Sequence, residues 1–307
     1  MPDSQTVLSG SVNFPASDYG NADPQWLKID WREHLHRVDL PGAEVNYAEI
    51  GEGPESILFV HGLAGCWQNW LENLPHFGRT HRAIALDLPG FGESPMPSWP
   101  IDMPAYGRLI HDFCEKLGID RVSALVGNSM GGFVSTEAVI ERPSRFDKLV
   151  LVSAAGISFA EAGGRRIEAE VRLFEAVVPF LAGRRRHPWL ARPRGRQIAF
   201  GNVFHYPNRL RPELLQEQML PGPRSPGFAD AIRGLGGYDT RYRLPEIETP
   251  TLVVWGLKDR IVPVEAAIGY HRLIDDSRLE LFERTGHVPQ MERPERFNAL
   301  LDEFLTD

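Results

Sequence analysis

The stretch Val122-Ser123-Ala124-Leu125-Val126-Gly127-Asn128-Ser129-Met130-Gly131-Gly132 decides how this chain folds. Its first five residues form a short apolar run that reads as a buried strand. The pattern G-x-S-x-G follows at once, and a helical periodicity opens at Met130 and continues to Glu141. Taken alone, such a turn is also found by chance in glycine-rich loops. Between a strand and a helix it makes a turn sharp enough to push the serine hydroxyl out at the carboxyl edge of a sheet, in a strained backbone conformation. Gly127 and Gly131, two residues before and two after Ser129, let neighbouring backbone approach without a Cβ in the way. The helix N-terminus sets free N–H groups and a positive dipole end beside the hydroxyl. We therefore expect Ser129 to be an exposed, strained nucleophile.

Working outward, the same alternation repeats along the chain. Arg37 onward (HRVDL, then AEVNYAEI) reads as two short strands joined at Pro41-Gly42. Further strands are expected at Ile57–Val60, Ala83–Leu86, Val122–Val126, Leu149–Val152, Leu252–Trp255 and Leu279–Phe282, mostly as continuous apolar runs. Helical spacing covers Trp67–Phe77, Pro104–Leu117, Met130–Glu141, Val264–Leu273 and Pro294–Phe304. Strands alternating with helices specify an α/β fold: a doubly wound, mostly parallel sheet of about eight strands with right-handed crossovers. The alternation breaks once, between Leu149–Val152 and Leu252–Trp255, where about a hundred residues intervene. Residues 156–243 read as an inserted helical lid, with amphipathic pieces near Arg165–Leu181 and Pro212–Met219. Residues 1–34 read as an irregular arm with no visible chemistry, and residues 35–155 and 244–307 as the core. No internal repeat is found.

A serine hydroxyl is a weak nucleophile at neutral pH and needs a base oriented by a carboxylate. Of ten histidines, His287 stands out, because Arg284-Thr285-Gly286-His287-Val288-Pro289 follows the last expected strand directly. Asp259 lies four residues past Leu252–Trp255 and 28 before His287, so the order Ser129, Asp259, His287 is the one this strand–turn–helix arrangement uses. Asp239 and Asp87 are the alternative acids; the first lies in the lid, and the second precedes the turn Leu88-Pro89-Gly90-Phe91-Gly92, where it caps backbone N–H groups. After Leu149–Val152 stand Ser153 and Ala154, which offer no acid. The oxyanion formed on attack needs two donors. One is the Met130 N–H; the other comes from His61-Gly62-Leu63-Ala64-Gly65, where we select the Leu63 N–H and give His61 a structural role.

With those residues placed, the sequence resembles the α/β-hydrolase superfamily from about Arg37 to Phe304. The matching motifs are HGLAG (61–65), DLPGFGES (87–94), GNSMGG (127–132), WGLKDRIVP (255–263) and GHVPQMERPERF (286–297). The resemblance implies cofactor-free hydrolysis, a Ser129–Asp259–His287 triad, no metal, and a lid that selects a small-molecule ester or related carbonyl substrate. Haloalkane dehalogenases and epoxide hydrolases of this superfamily use a carboxylate nucleophile, so Ser129 disfavours them. GNSMGG and WGLKDRIVP look like the meta-cleavage-product C–C hydrolases. Residues 61–65, however, lack the Gly-Pro-Gly run of those enzymes, and Val288 stands where they carry Trp. Carboxylic ester hydrolysis is the first reading, C–C hydrolysis the alternative, and a ligand-binding receptor on the same fold the third.

Composition sets the outer bounds. Of 307 residues, 33 are Lys or Arg and 41 Asp or Glu, a formal charge of −8 that argues against a nucleic-acid partner. No apolar run approaches the roughly 18 residues of a membrane span, and the N-terminus lacks the basic start and apolar stretch of a secretory signal, so a cytoplasmic location is expected. Cys66 and Cys114 are too few for a disulfide framework and read as reduced thiols. Against the acidic total, Arg184, Arg185, Arg186, Arg192, Arg194 and Arg196 crowd with His187 into thirteen residues of the lid. They read as a solvated face, as a source of one arginine for a substrate carboxylate, or as a basic lid surface that docks on anionic membranes or micelles.

Overall fold

The computed structural model describes residues 18–157, 192–219, 225–236 and 238–307. The expected strands assemble into one eight-stranded sheet: β1 (Leu35–Leu40), β2 (Ala43–Ile50), β3 (Ser56–Val60), β4 (Arg82–Leu86), β5 (Ala124–Asn128), β6 (Leu149–Val152), β7 (Thr251–Gly256) and β8 (Ser277–Phe282). Their spatial order is β1-β2-β4-β3-β5-β6-β7-β8. The pairs β1/β2 and β2/β4 are antiparallel and all the others parallel.

The continuous apolar runs have a simple cause, since both faces of the central strands are covered. Leu149 and Leu151 of β6 pack into one hydrophobic layer and Val150 and Val152 into the other. In β7 the split is Val253 and Trp255 against Leu252 and Val254. Each such aliphatic side chain stabilises the fold by roughly 1.5–3 kcal/mol relative to exposure. The first layer is roofed by α2 (Met103–Lys116), α3 (Met130–Glu141) and α7 (Val264–Leu273); α1 (Leu74–Phe77) and α9 (Pro294–Thr306) close the second. A doubly wound α/β sheet results. The strand expected at Val122–Val126 starts two residues later, because Val122 forms only an isolated bridge to Phe146.

Two segments differ from expectation. Trp67–Phe77 is not one helix but a 3-10 turn at Trp67–Trp70 followed by α1, where Pro75, lacking an N–H, sits in the first turn. Residues 18–34 of the arm carry 3-10 turns at Gln25–Lys28 and Trp31–His34, with Trp26 buried. Within 156–243 the structure describes α4 (Pro193–Phe200), α5 (Pro212–Met219) and α6 (Phe228–Leu235). Leu214 and Leu215 of α5 join the second layer, while Phe228, Ala231, Ile232 and Leu235 of α6 join the first. This inserted segment therefore grips the core on both sides of the sheet. The piece at Arg165–Leu181 lies outside the described residues.

Candidate active site

At the carboxyl end of β5 the chain turns through Ser129 at φ 56° and ψ −116° before entering α3. A left-handed conformation at a residue bearing a side chain costs on the order of 1–3 kcal/mol, so the surroundings must impose it. They do so through backbone: the Ser129 N–H donates to the Val152 carbonyl at 2.9 Å, and the Ser129 carbonyl accepts from Ala155 at 2.9 Å. A Cβ on Gly131 would be driven into the Val60 and His61 carbonyls, and one on Gly127 into the Gly131 carbonyl. Ser129 stands at the sheet edge as expected but is only 8 % exposed; Gly62, from the loop after β3, comes so close that an added Cβ would sit 3.0 Å from Ser129 Cβ.

The carboxyl ends of β7 and β8 bring Asp259 and His287 together, with His287 Nδ1 2.8 Å from Asp259 Oδ2. Asp259 Oδ1 accepts the N–H groups of Ile261 at 2.8 Å and Val262 at 3.0 Å, so the carboxylate is wholly buried and fixed in orientation. A carboxylate accepting from Nδ1–H leaves Nε2 as the free basic nitrogen. The serine and histidine loops are joined through Asn128, whose amide donates to the Val152 carbonyl at 3.0 Å and to the His287 carbonyl at 3.3 Å. The Met130 N–H opens α3 and has no intrahelical acceptor. Leu63 lies in the tight turn that Gly65 closes onto the Gly62 carbonyl at 3.0 Å, against the serine turn.

The competing residues are engaged elsewhere. Asp239 forms a two-pronged pair with Arg241 and caps the turn Thr240–Tyr242. Asp87, fully buried, accepts from the backbone of Trp67 at 2.7 Å and Glu93 at 2.9 Å and from the Asn46 amide at 2.8 Å. Burial pushes its carboxyl up to about 7, against the pull of these donors. His61 Nδ1 lies 2.7 Å from the Gly62 carbonyl and its Nε2 accepts the Leu88 N–H at 2.9 Å; burial depresses its pKa to about 4. The imidazole is thus a neutral strut between two loops. Cys66 and Cys114 are free and buried.

Of the arginines clustered in the inserted segment, Arg192 and Arg194 are exposed and Arg196 is buried, donating to the Asn208 carbonyl at 3.0 Å. Arg184, Arg185, Arg186 and His187 lie outside the described residues. Among the described residues no group of three His, Cys, Asp or Glu side chains is gathered to hold a metal, and no helix is long and apolar enough to cross a membrane.

One residue escaped the sequence reading. Glu292, in the short helix α8 (Pro289–Glu292), is fully buried, and its carboxylate accepts from the Gly286 N–H at 2.7 Å and the His205 N–H at 2.8 Å. Its only signal was a charge five places after His287 inside GHVPQMERPERF, which looks like any helix-surface glutamate.

Sheet order, serine turn and Asp–His pair together define a hydrolase scaffold, and comparison with known proteins agrees. A family model of the alpha/beta hydrolase fold matches residues 55–294, and the chain belongs to that family. It is 32% identical over 283 residues to the 2-hydroxy-6-oxo-6-phenylhexa-2,4-dienoate hydrolase of Comamonas testosteroni, covering 88% of this chain and 94% of that one. It is also 32% identical over 280 residues to the 2-hydroxy-6-oxo-2,4-heptadienoate hydrolase of Pseudomonas putida, covering 86% and 93%. Among solved structures, a thermophilic esterase from Thermogutta terrifontis is similar with TM-score 0.72 and 26% identity, covering 88% of this chain and 98% of that one.

Proposed function

We propose that this hydrolase works through a covalent intermediate on Ser129. His287 takes the serine proton, Asp259 steadies the imidazolium, and the N–H groups of Met130 and Leu63 bind the oxyanion. Ser129 Oγ bonds to the carbonyl carbon and the bond to the leaving group breaks; the leaving group, an alkoxide or, from a dienol first ketonised by proton transfer to C5, a resonance-stabilised carbanion, takes the proton from His287. His287 then removes a proton from water, which attacks the acyl-enzyme, releases the carboxylic acid and restores the Ser129 hydroxyl. The single observation that carries this reading is the 2.8 Å His287–Asp259 contact at the same sheet edge as the strained Ser129 turn.

For the bond cleaved, the relatives reverse the order that the motifs suggest. Two proteins matching nearly the full chain at 32% identity act on 2-hydroxy-6-oxo-dienoates, which favours C–C hydrolysis of a vinylogous oxo-acid as the first reading. Carboxylic ester hydrolysis stands second, supported by Val288, by the HGLAG loop and by the likeness to an esterase. A dienoic oxo-acid carries a carboxylate, so an inserted-segment arginine would then contribute to its binding.

Turnover of p-nitrophenyl esters of rising chain length, measured beside a 6-oxo-dienoic acid, separates the two. A kcat/KM at least a hundredfold higher for the oxo-acid is expected; parity or preference for the esters overturns the first reading. Labelling of Ser129 by a fluorophosphonate distinguishes either enzyme from a receptor, whose serine would stay unlabelled.

A further inference from the structure

Three segments far apart in sequence meet beside His287. From the inserted segment, the Val203 carbonyl accepts the His287 N–H at 2.7 Å, and the His205 N–H donates to Glu292 Oε2 at 2.8 Å. From the N-terminal arm, the Tyr19 hydroxyl donates to Glu292 Oε2 while accepting the Tyr206 N–H at 2.8 Å, and the Gly20 N–H donates to the Glu292 carbonyl at 2.8 Å. From the histidine loop, the Gly286 N–H donates to Glu292 Oε1 at 2.7 Å. Gly286 must lack a side chain here, because a Cβ would come within 2.5 Å of the Val203 carbonyl and 3.0 Å of Glu292 Oε1. Arg293 completes the junction, pairing with Asp18 and lying 4.9 Å over the Tyr19 ring.

A carboxylate with no exposed surface is costly to ionise unless donors converge on it. Burial drives the Glu292 carboxyl up to about 7, against donors from Tyr19, His205 and Gly286. The titratable side chain bonded to it is the neutral Tyr19 hydroxyl, and Arg293, paired with Asp18, lies over the Tyr19 ring. An apolar side chain of the same volume would leave the N–H groups of Gly286 and His205 without this acceptor. What the carboxylate adds is one acceptor that locks the backbone preceding the base to the inserted segment and the arm simultaneously.

We propose that Glu292 is the positioning residue of the His287 loop and that Tyr19 of the N-terminal arm is the contact through which the arm makes it so. The proposal rests on the serine-hydrolase reading above. The arm, which shows no chemistry in the sequence, is then part of the active-site scaffold.

Two variants probe it in the full chain. Tyr19→Phe keeps the ring and loses the hydroxyl; Glu292→Gln keeps the shape but turns an amide NH₂ toward converging donors. A small displacement of a base can cost up to about a hundredfold, and here a fall in kcat of about tenfold is expected, with KM changed less than about threefold. The rate of fluorophosphonate labelling should fall in parallel. Because loss of a donor favours the protonated carboxyl, the acid limb of the Tyr19→Phe activity profile should move to higher pH. Glu72→Gln is the control: Glu72 is also buried and bonds the arm through Trp26 at 3.0 Å and Asn21 at 3.2 Å, but touches no loop of the site. It should lower Tm and leave kcat unchanged.

Unchanged kcat and labelling in both variants, or an equal kcat loss in Glu72→Gln, overturns the proposal. If the unaltered protein neither turns over any substrate nor labels, the serine-hydrolase reading has failed, and the downfield proton resonance of His287 Nδ1–H decides alone. Its shift or broadening in Tyr19→Phe supports positioning; an unaltered resonance overturns it.

Discussion

Around Ser129 the constraints are backbone and short in reach: the carbonyls of Val60, His61 and Val152, and glycines that leave no room for a Cβ. Around His287 they are largely side chains drawn from distant segments, with Tyr19 and Glu292 separated by 273 positions and His205 and Glu292 by 87. The serine must hold a strained conformation, which only close-packed backbone enforces strongly. A histidine acting as base must keep its ring aimed, and a junction of hydrogen bonds fixes its loop from several directions at once.

The widest test of this contrast is removal of the reacting groups. Ser129→Ala or His287→Ala should lower kcat on the order of a million-fold with an unchanged thermal midpoint; retained turnover in purified Ser129→Ala would place the nucleophile elsewhere. Asp259→Asn should be milder, about ten-thousandfold in kcat, because it misorients the imidazole but leaves the oxyanion donors in place. Steady-state kinetics on the better substrate of the panel measures both.

The next effect concerns the loop beneath Ser129. The folded pKa of His61, about 4, lies below the 6.5 of an unfolded histidine, so between those values the unfolded chain binds a proton that the folded chain does not. Stability therefore rises with pH across that window, and falls by up to about 3 kcal/mol as pH drops through it. His111, also depressed to about 4, adds in the same sense as His61, while Asp87 and Glu292, both raised to about 7, act in the opposite sense, so the four nearly cancel over much of the range. Subtracting the His61→Gln curve from that of the unaltered protein isolates the histidine term, and a difference in urea-derived unfolding free energy that is the same at pH 5 and 7 would remove it. Smallest is Gly131→Ala, which drives a Cβ into the Val60 carbonyl and should cost about 1–3 kcal/mol. A drop in urea midpoint there, with none for an exposed alanine substitution, confirms that close backbone approach holds the serine turn.

Much of the scaffold was legible because burial on both sheet faces writes itself as unbroken apolar runs. Leu149–Val152 shows this most clearly, and even the half-buried edge strand β8 kept enough of the pattern at Leu279–Phe282. Trp67–Phe77 misled because its apolar residues recur at helical spacing, while Pro75 restarts the helix inside it. Asp87 and His61 were readable as struts from the turns beside them. Glu292 was not, since a glutamate at the end of a one-turn helix has an ordinary local context and all its meaning lies in what comes to meet it.

The sequence alone made legible the alternating fold, the glycine-flanked turn at Ser129 and the order of the candidate acid and base after it, since each signal lies within one strand and the loop after it. Only the tertiary structure decided that the arm and the inserted segment converge on a single buried carboxylate behind His287. A hydrogen bond between residues hundreds of positions apart leaves no periodicity, spacing or composition in the chain that makes it; it exists only once the sheet has brought its carboxyl edge together.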